Sequence, residues 1–393
     1  MVNEPRTPNP EPRTPNSELQ TPNAEPRKSW RQTFPTCARI APNQFVSRYI
    51  RAIYAPLVGV AISNQEMLEA IATRLETLEA DDSEKRALFD FVRLLLIGHR
   101  TRYNQSGDRY LWMDTFSEHA NAFASAVDQS ISAIAEQIES APPSRPFDAV
   151  FGICSEGLLL PGIAERAARR LGSLIGKTAS QMDLANGGCT ASVRAMELVS
   201  NLAPEIRNVL ILAMEPTSTL IDPKSAARSN WQGICTFGDG AAGVWISDEP
   251  AEGALALGKL SSWRGDAIEL IRWDWGTDYY RFGIADLEQF EVKVRSEVLK
   301  AMTDLQVERD PEAAWAIHPA GIMLLLSLAK KLGLARSALE PSINHFRSCS
   351  NMSSVSILHI LKNILGCAKS GQQVRWLSMG AGFHVACGGG FRV

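Results

Sequence analysis

Apolar positions along this chain recur with two periods, and the two alternate. Ser63-Asn64-Gln65-Glu66 has the form of a capping box, and Met67, Leu68, Ile71 and Leu75 follow on one helical face. A long Ala-rich helical pattern covers 116–138, and shorter ones cover 162–171, 287–302, 322–332 and 355–364. Between them stand short apolar runs without that period, at 147–153, 207–214 (RNVLILAM), 313–317 and 374–379, which read as buried strands. Residues 235–246 read as a Gly-rich corner followed by a strand. Such alternation predicts an α/β architecture in which helices cover sheets.

The pattern begins only near 34–45. The first 28 residues hold seven of the 21 prolines and repeat with a period of seven: EPRTPNP, EPRTPNS, ELQTPNA, then EPRKSWR. Proline forbids helix and no apolar seam exists, so this is no coiled coil. Almost nothing here can be buried to offset the entropy of ordering, and residues 1–33 are expected to be disordered. After residue 45 there is no clean domain boundary, only a soft seam at 248–253 (DEPAEG).

Composition narrows the classes. Lys plus Arg number 40 and Asp plus Glu 43, a net charge of −3, without the cationic footprint of a dedicated nucleic-acid binder. No run approaches the roughly 18 apolar residues of a membrane span. No apolar leader opens the chain, so a cytoplasmic protein is expected. The seven cysteines (37, 154, 189, 235, 349, 367 and 387) are scattered and form no CxxC pair, so neither a zinc site nor a disulfide framework is expected.

One cysteine stands apart. In DLANGGCTASVRAMEL (183–198) a glycine-bearing turn delivers Cys189 just before a helical stretch, where free N–H groups and the helix dipole favour thiolate. A buried structural cysteine is the equal alternative. In WAIHPAG (315–321) a strand runs into His318 and Pro319, placing the imidazole at the strand's carboxyl end, where open α/β sheets bind ligands. Asn351, in NMSS before a helix, is suited either to cap that helix or to donate to an oxyanion. FGDGAAG (237–243) reads as a structural corner and not a P-loop, and MGAGF (379–383) as a tight turn after a strand.

Taken in order, NGGCTAS, FGDGAAG, WAIHPAG, SNMSS and MGAGF resemble the type III polyketide synthases, the chalcone and stilbene synthase family of the thiolase superfamily. LVGVAISNQEMLE, CSEGLLLPG and IRWDWGTDYYRFGI are similar to stretches of the bacterial 3,5-dihydroxyphenylacetyl-CoA synthases. The resemblance implies a thiolase-like five-layered αβαβα fold of two duplicated halves, here 45–250 and 251–393, usually as a homodimer. It implies Cys189 as nucleophile, with His318 and Asn351 as its catalytic partners. Arg93, Arg100, Phe237, Gly380 and Gly382 become candidates for substrate binding, with His99 and Arg102 in the same stretch as the first two. Acyl-CoA and malonyl-CoA would be the substrates, with no metal or bound cofactor. The chain departs from the family's pattern at Ser350, where Gly is usual, and at Gly380-Ala381-Gly382, where GPG is usual. Those departures favour the alternative, a ketoacyl synthase III-like enzyme that meets an acyl carrier protein.

Overall fold

The computed structural model describes residues 47–105, 112–275, 280–307 and 309–393; the proline-rich repeat lies outside them, as do positions 276–279 of IRWDWGTDYYRFGI. The capping box forms as its spacing predicts. Glu66 N donates to Ser63 Oγ at 3.2 Å, and Ser63 N donates to the Glu66 carboxylate at 2.7 Å. It opens α1 (Asn64–Glu76), which buries Met67, Ile71 and Leu75. Helices α2 (Asp82–Leu95) and α3 (Phe116–Ser140) begin with the same device, built on Asp81 and Thr115.

Nine strands make the main sheet. From the first part of the chain come β1 (Tyr49–Tyr54), β4 (Phe147–Cys154), β5 (Ile175–Ala185), β6 (Asn208–Glu215) and β7 (Gly240–Ser247). From the second come β8 (Leu255–Arg264), β11 (Ala314–Ile317), β12 (Gln373–Gly380) and β13 (His384–Arg392). The order is β11-β12-β13-β8-β1-β7-β6-β4-β5. Two small ladders stand apart: β2 (Val60–Ser63) with β3 (Thr101–Asn104), and β9 (Ile271–Trp275) with β10 (Tyr280–Ile284).

The pairing repeats itself. β1 runs antiparallel to β7, β7 antiparallel to β6, and β6 parallel to β4. In the same way β8 runs antiparallel to β13, β13 antiparallel to β12, and β12 parallel to β11. The two sets meet at β1 and β8 through Tyr49↔Ala256 and Ile50↔Leu255. The soft seam seen at 248–253 is the connection from β7 to β8.

Alternation along the strands sorts the helices into layers. On β6, Val209, Ile211 and Ala213 pack with α5 (Ala191–Ser200) and α10 (Ser356–Cys367). Leu210, Leu212 and Met214 turn the other way, to α3 and α4 (Ile163–Leu171). In the second half Val374 and Trp376 face α5 and α10, whereas Leu377 and Met379 face α7 (Phe290–Asp304) and α8 (Ile322–Leu332). The result is the thiolase-like αβαβα stack: α3 and α4, a sheet half, α5 with α10, the other sheet half, α7 with α8. Val193, Met196, Leu358 and Ile360 of the central pair are at most 1% exposed. Each such side chain contributes about 2 kcal/mol over an exposed one. Two further helices, α6 (Arg228–Thr236) and α9 (Glu340–Cys349), flank the site. The turn before α5 carries Cys189 and the turn before α10 carries Asn351, so the internal repeat puts the two at corresponding ends of the central layer.

Candidate active site

Cys189 lies in a tight turn, Gly188–Thr190, that runs directly into α5. Backbone contacts fix it. Gly188, at φ 57°, donates its N–H to Ser155 Oγ at 3.0 Å, and Ser378 Oγ donates to the Cys189 carbonyl at 2.6 Å. Gly380 lies so close that a Cβ there would stand 2.8 Å from Cys189 N. This explains a glycine in the MGAGF turn by packing against the nucleophile's backbone.

His318 follows β11 directly and is 1% exposed. Its N–H continues the β11–β12 ladder to the Leu377 carbonyl at 2.8 Å. Both ring nitrogens are buried without a hydrogen-bond partner. Two bare imidazole nitrogens are costly to bury, and such a group is kept for a ligand or reaction partner. Asn351 is pinned from both sides: its N–H donates to the Thr236 carbonyl at 3.2 Å, and its carbonyl accepts from Gly238 N at 3.0 Å. A Cβ on Gly238 would lie 2.6 Å from the Cys349 carbonyl, so the FGDG corner serves to seat the Asn351 loop. Asn351 Oδ1 accepts from Ser353 N at 2.9 Å, a local turn that orients the amide; the helix Ser356–Cys367 itself has no side-chain cap. Ser350, where the resembled family has Gly, sits at φ 61°. That backbone conformation is uncommon for a side-chain-bearing residue. Its hydroxyl donates to the Thr101 carbonyl at 3.2 Å and holds it there.

Cys189, His318 and Asn351 all line one cavity of about 800 Å³. Arg100, Phe237 and Gly380 line it too, whereas Arg93 and Gly382 do not. Arg93 is exposed and pairs with Asp90 at 3.3 Å. Arg102 is fully buried and holds the Ile234, Cys235 and Phe237 carbonyls, which makes it a structural tether. Arg100 also bonds the Cys235 carbonyl, at 2.6 Å, and stacks on Phe346. Burial first, then Arg102, lowers Arg100 to about 10.

The expectation of a thiolate at Cys189 is corrected. Burial pushes the thiol up to about 12, a hydrogen bond from Ser353 works against the rise, and Glu215 and Glu156 add to it. The tight turn puts carboxyls near the sulfur in place of the helix-end charge the sequence suggests. Burial likewise lowers His318 to about 3, which favours the neutral ring. Sequence reasoning missed two further groups. Exposed Arg295, Arg336 and Arg347 line the cavity with no ion-pair partner among the described residues. Cys154, Glu156 and Glu215 bring three buried, metal-capable atoms within 4.8 Å of one another.

Comparison with known proteins finds two family models. The family model for chalcone and stilbene synthases, C-terminal domain, matches residues 285–393, and that for 3-oxoacyl-[acyl-carrier-protein] synthase III matches 182–261. This chain is similar to the chalcone and stilbene synthases, the type III polyketide synthases. A 3,5-dihydroxyphenylacetyl-CoA synthase of Amycolatopsis balhimycina is 25% identical to this chain over 243 residues, 59% of the chain and 64% of that protein. Type III polyketide synthase 10 of Oryza sativa subsp. japonica is 25% identical over 229 residues, 54% of the chain and 55% of that protein. The alignments thus span less than two thirds of these two relatives. Among solved structures, 1,3,6,8-tetrahydroxynaphthalene synthase of Streptomyces coelicolor A3(2) superposes with a TM-score of 0.74 at 17% identity, covering 88% of this chain and 99% of that one. CsyB complexed with CoA-SH gives 0.74 at 19% identity, with 88% and 100% covered. These likenesses show the fold.

Proposed function

We propose that this chain is a type III polyketide synthase that condenses acyl groups with malonyl-CoA. The observation that carries the reading is the convergence of Cys189, His318 and Asn351 on one cavity, in a chain whose residues 285–393 match the family model and whose fold is that of these enzymes. Cys189 sulfur attacks the carbonyl of an acyl-CoA; the new C–S bond forms as the CoA thiol leaves with the cysteine proton. His318, neutral and with open ring nitrogens, and the Asn351 amide then hydrogen-bond the thioester oxygen of malonyl-CoA. They stabilise the enolate that remains as CO2 departs. The enolate carbon attacks the Cys189 thioester, the C–S bond breaks, and a β-ketoacyl-CoA results. Iteration leads to a small aromatic or pyrone product. Arg295, Arg336 and Arg347 are suited to the phosphates of CoA, since guanidinium forks match phosphate oxygens. Incubating the protein with labelled malonyl-CoA and a panel of acyl-CoA starters should give labelled polyketides and an acylated Cys189 peptide in mass spectra. Release of CO2 with neither would end this reading.

We further infer a homodimer through β5. This strand closes the sheet order at one edge, and most of its eleven residues are exposed. Met182 on it and Leu158 and Leu160 before α4 are exposed at 57%, 83% and 97%. An open edge beside apolar side chains is what a second copy would cover. Sedimentation should show twice the 43.0 kDa of the chain. A charged residue at Met182 should lower that mass to the monomer, and a wild-type monomer would exclude the dimer.

A further inference from the structure

The ends of β4 and β6 bring two glutamates together close to the nucleophile turn. Register sets Ile153 beside Ala213, so Ser155 and Glu215 come abreast where the strands end. The single N–H of Ser155 is shared: it donates to Glu215 Oε2 at 3.0 Å and to Glu156 Oε2 at 3.2 Å. Glu156 is 2% exposed and Glu215 fully buried, and a carboxyl oxygen of each lies within 4.8 Å of the other. Ionised carboxylates only accept, so the two can hydrogen-bond each other only when one of them carries a proton. Like-charged groups at this spacing do not both ionise in a buried site.

The neighbours are mostly neutral donors. Ser354 Oγ donates to Glu215 Oε1, and the Cys154 thiol to Glu156 Oε2 at 3.3 Å. The titratable groups facing the pair are Cys154 from β4 and Cys189 from the turn before α5, whose sulfur feels both carboxyls. Ser155, which holds the pair through its N–H, also holds the Gly188 amide through its hydroxyl. The pair and the nucleophile turn are therefore tied through one residue. Glu156 also lines the cavity that Cys189 lines.

We propose that Glu156 and Glu215 form a proton-sharing carboxyl pair that governs the ionisation of Cys189. With its proton the pair carries one negative charge. Without it, a second charge near the sulfur holds the thiol un-ionised and unreactive. The two glutamates are positioning residues that act on the acyl group only through Cys189. The catalytic consequence rests on Cys189 being the nucleophile; the pair itself does not.

The test uses the intact chain. With glutamate carboxyls labelled by ¹³C, one glutamate should remain protonated at neutral pH in wild type, and its resonance should vanish in Glu156→Gln. Alkylation of Cys189 by iodoacetamide, followed by peptide mass spectrometry, should run alike in wild type and Glu156→Gln below the pH at which that resonance titrates. Above it the variant should react faster, by about tenfold, because losing a nearby unit charge lowers the thiol by about one pH unit. If every glutamate is ionised by pH 7 in the wild-type titration, which needs no variant to fold, the proposal is wrong. Coincident alkylation profiles at all pH values would also overturn it. Failure of the polyketide synthase reading looks different: Cys189 alkylates as described yet takes no acyl group from any thioester.

Discussion

Cys189→Ala is expected to lose the covalent acyl adduct and to lower polyketide formation by at least about 10⁴-fold, while still decarboxylating malonyl-CoA. The separation follows from the division of labour in the cavity. The sulfur is needed to hold the growing chain. The enolate is stabilised by two donors supplied from other parts of the chain, His318 after β11 and Asn351 before α10. His318→Ala or Asn351→Ala should therefore cut decarboxylation by about 10²–10³-fold, the usual cost of one oxyanion donor. The fold should survive His318→Ala, because its ring nitrogens make no hydrogen bond. Asn351→Ala also removes the acceptor of the buried Ser353 N–H, so a modest loss of stability, about 1 kcal/mol, should accompany it. Radiolabelled CO2 release and peptide mass spectra measure the two halves independently. An adduct that persists in Cys189→Ala, or decarboxylation undiminished in both other variants, would refute the assignment.

Much of this arrangement was legible in the residues, for physical reasons that differ by element. The helix Ile322–Leu332 stands at the residues its apolar spacing marks, because its stripe has one face to bury. Every residue of β6 is buried, as the uninterrupted run RNVLILAM suggests. β5 carries no such mark: IGKTASQMDLA lies at a sheet edge and its side chains are mostly exposed, so nothing imposes an apolar pattern on it. β13 was hidden for another reason. Its glycines look like loop, yet a Cβ on Gly388 would meet the Trp376 ring at 2.7 Å, and one on Gly390 would meet the Ala256 carbonyl at 2.3 Å. Close strand neighbours require them.

At the site, Cys189, His318 and Asn351 could be read because each stands at the mouth of a turn with its own local signature. The arginines could not. Arg295 belongs to α7, Arg336 to the turn Arg336–Leu339, and Arg347 to α9, and each alone looks like a solvated charge. Glu156 and Glu215 lie 59 positions apart and meet only because β4 and β6 pair in parallel. The same burial that hides them reversed the thiolate expectation at Cys189. A local turn motif predicts the sign of helix-end charge, but it carries no information about what a neighbouring strand delivers.

Acid should destabilise this protein well before its surface carboxylates titrate, and the cause is a set of buried histidines. Burial lowers His318 to about 3 and His359 to about 4, and it drives His345 well below 6.5 with help from its two neighbours. The folded chain keeps these rings neutral, whereas the unfolded chain protonates each of them below about 6.5. Their contribution is therefore fully present above that pH and falls as pH drops towards 4 and 3. At about pH 5, His318 and His359 each remove about 2 kcal/mol, and His345 adds to the loss. Glu156 opposes them, because its carboxyl is raised, mainly by burial and then by Glu215, so the folded state holds a proton that the unfolded chain lacks at these pH values and gains as pH falls. The net fall is then about 2–4 kcal/mol between pH 7 and 5, a large share of a typical folding free energy. His359→Gln isolates one ring. Its amide can still donate to the Ala241 carbonyl, which His359 Nε2 meets at 3.0 Å. Unfolding free energies extrapolated from urea titrations at the two pH values should differ by about 2 kcal/mol less in that variant than in wild type. Equal differences would mean that His359 is already accessible to protons in the folded protein, and the buried-histidine account of acid lability would fail.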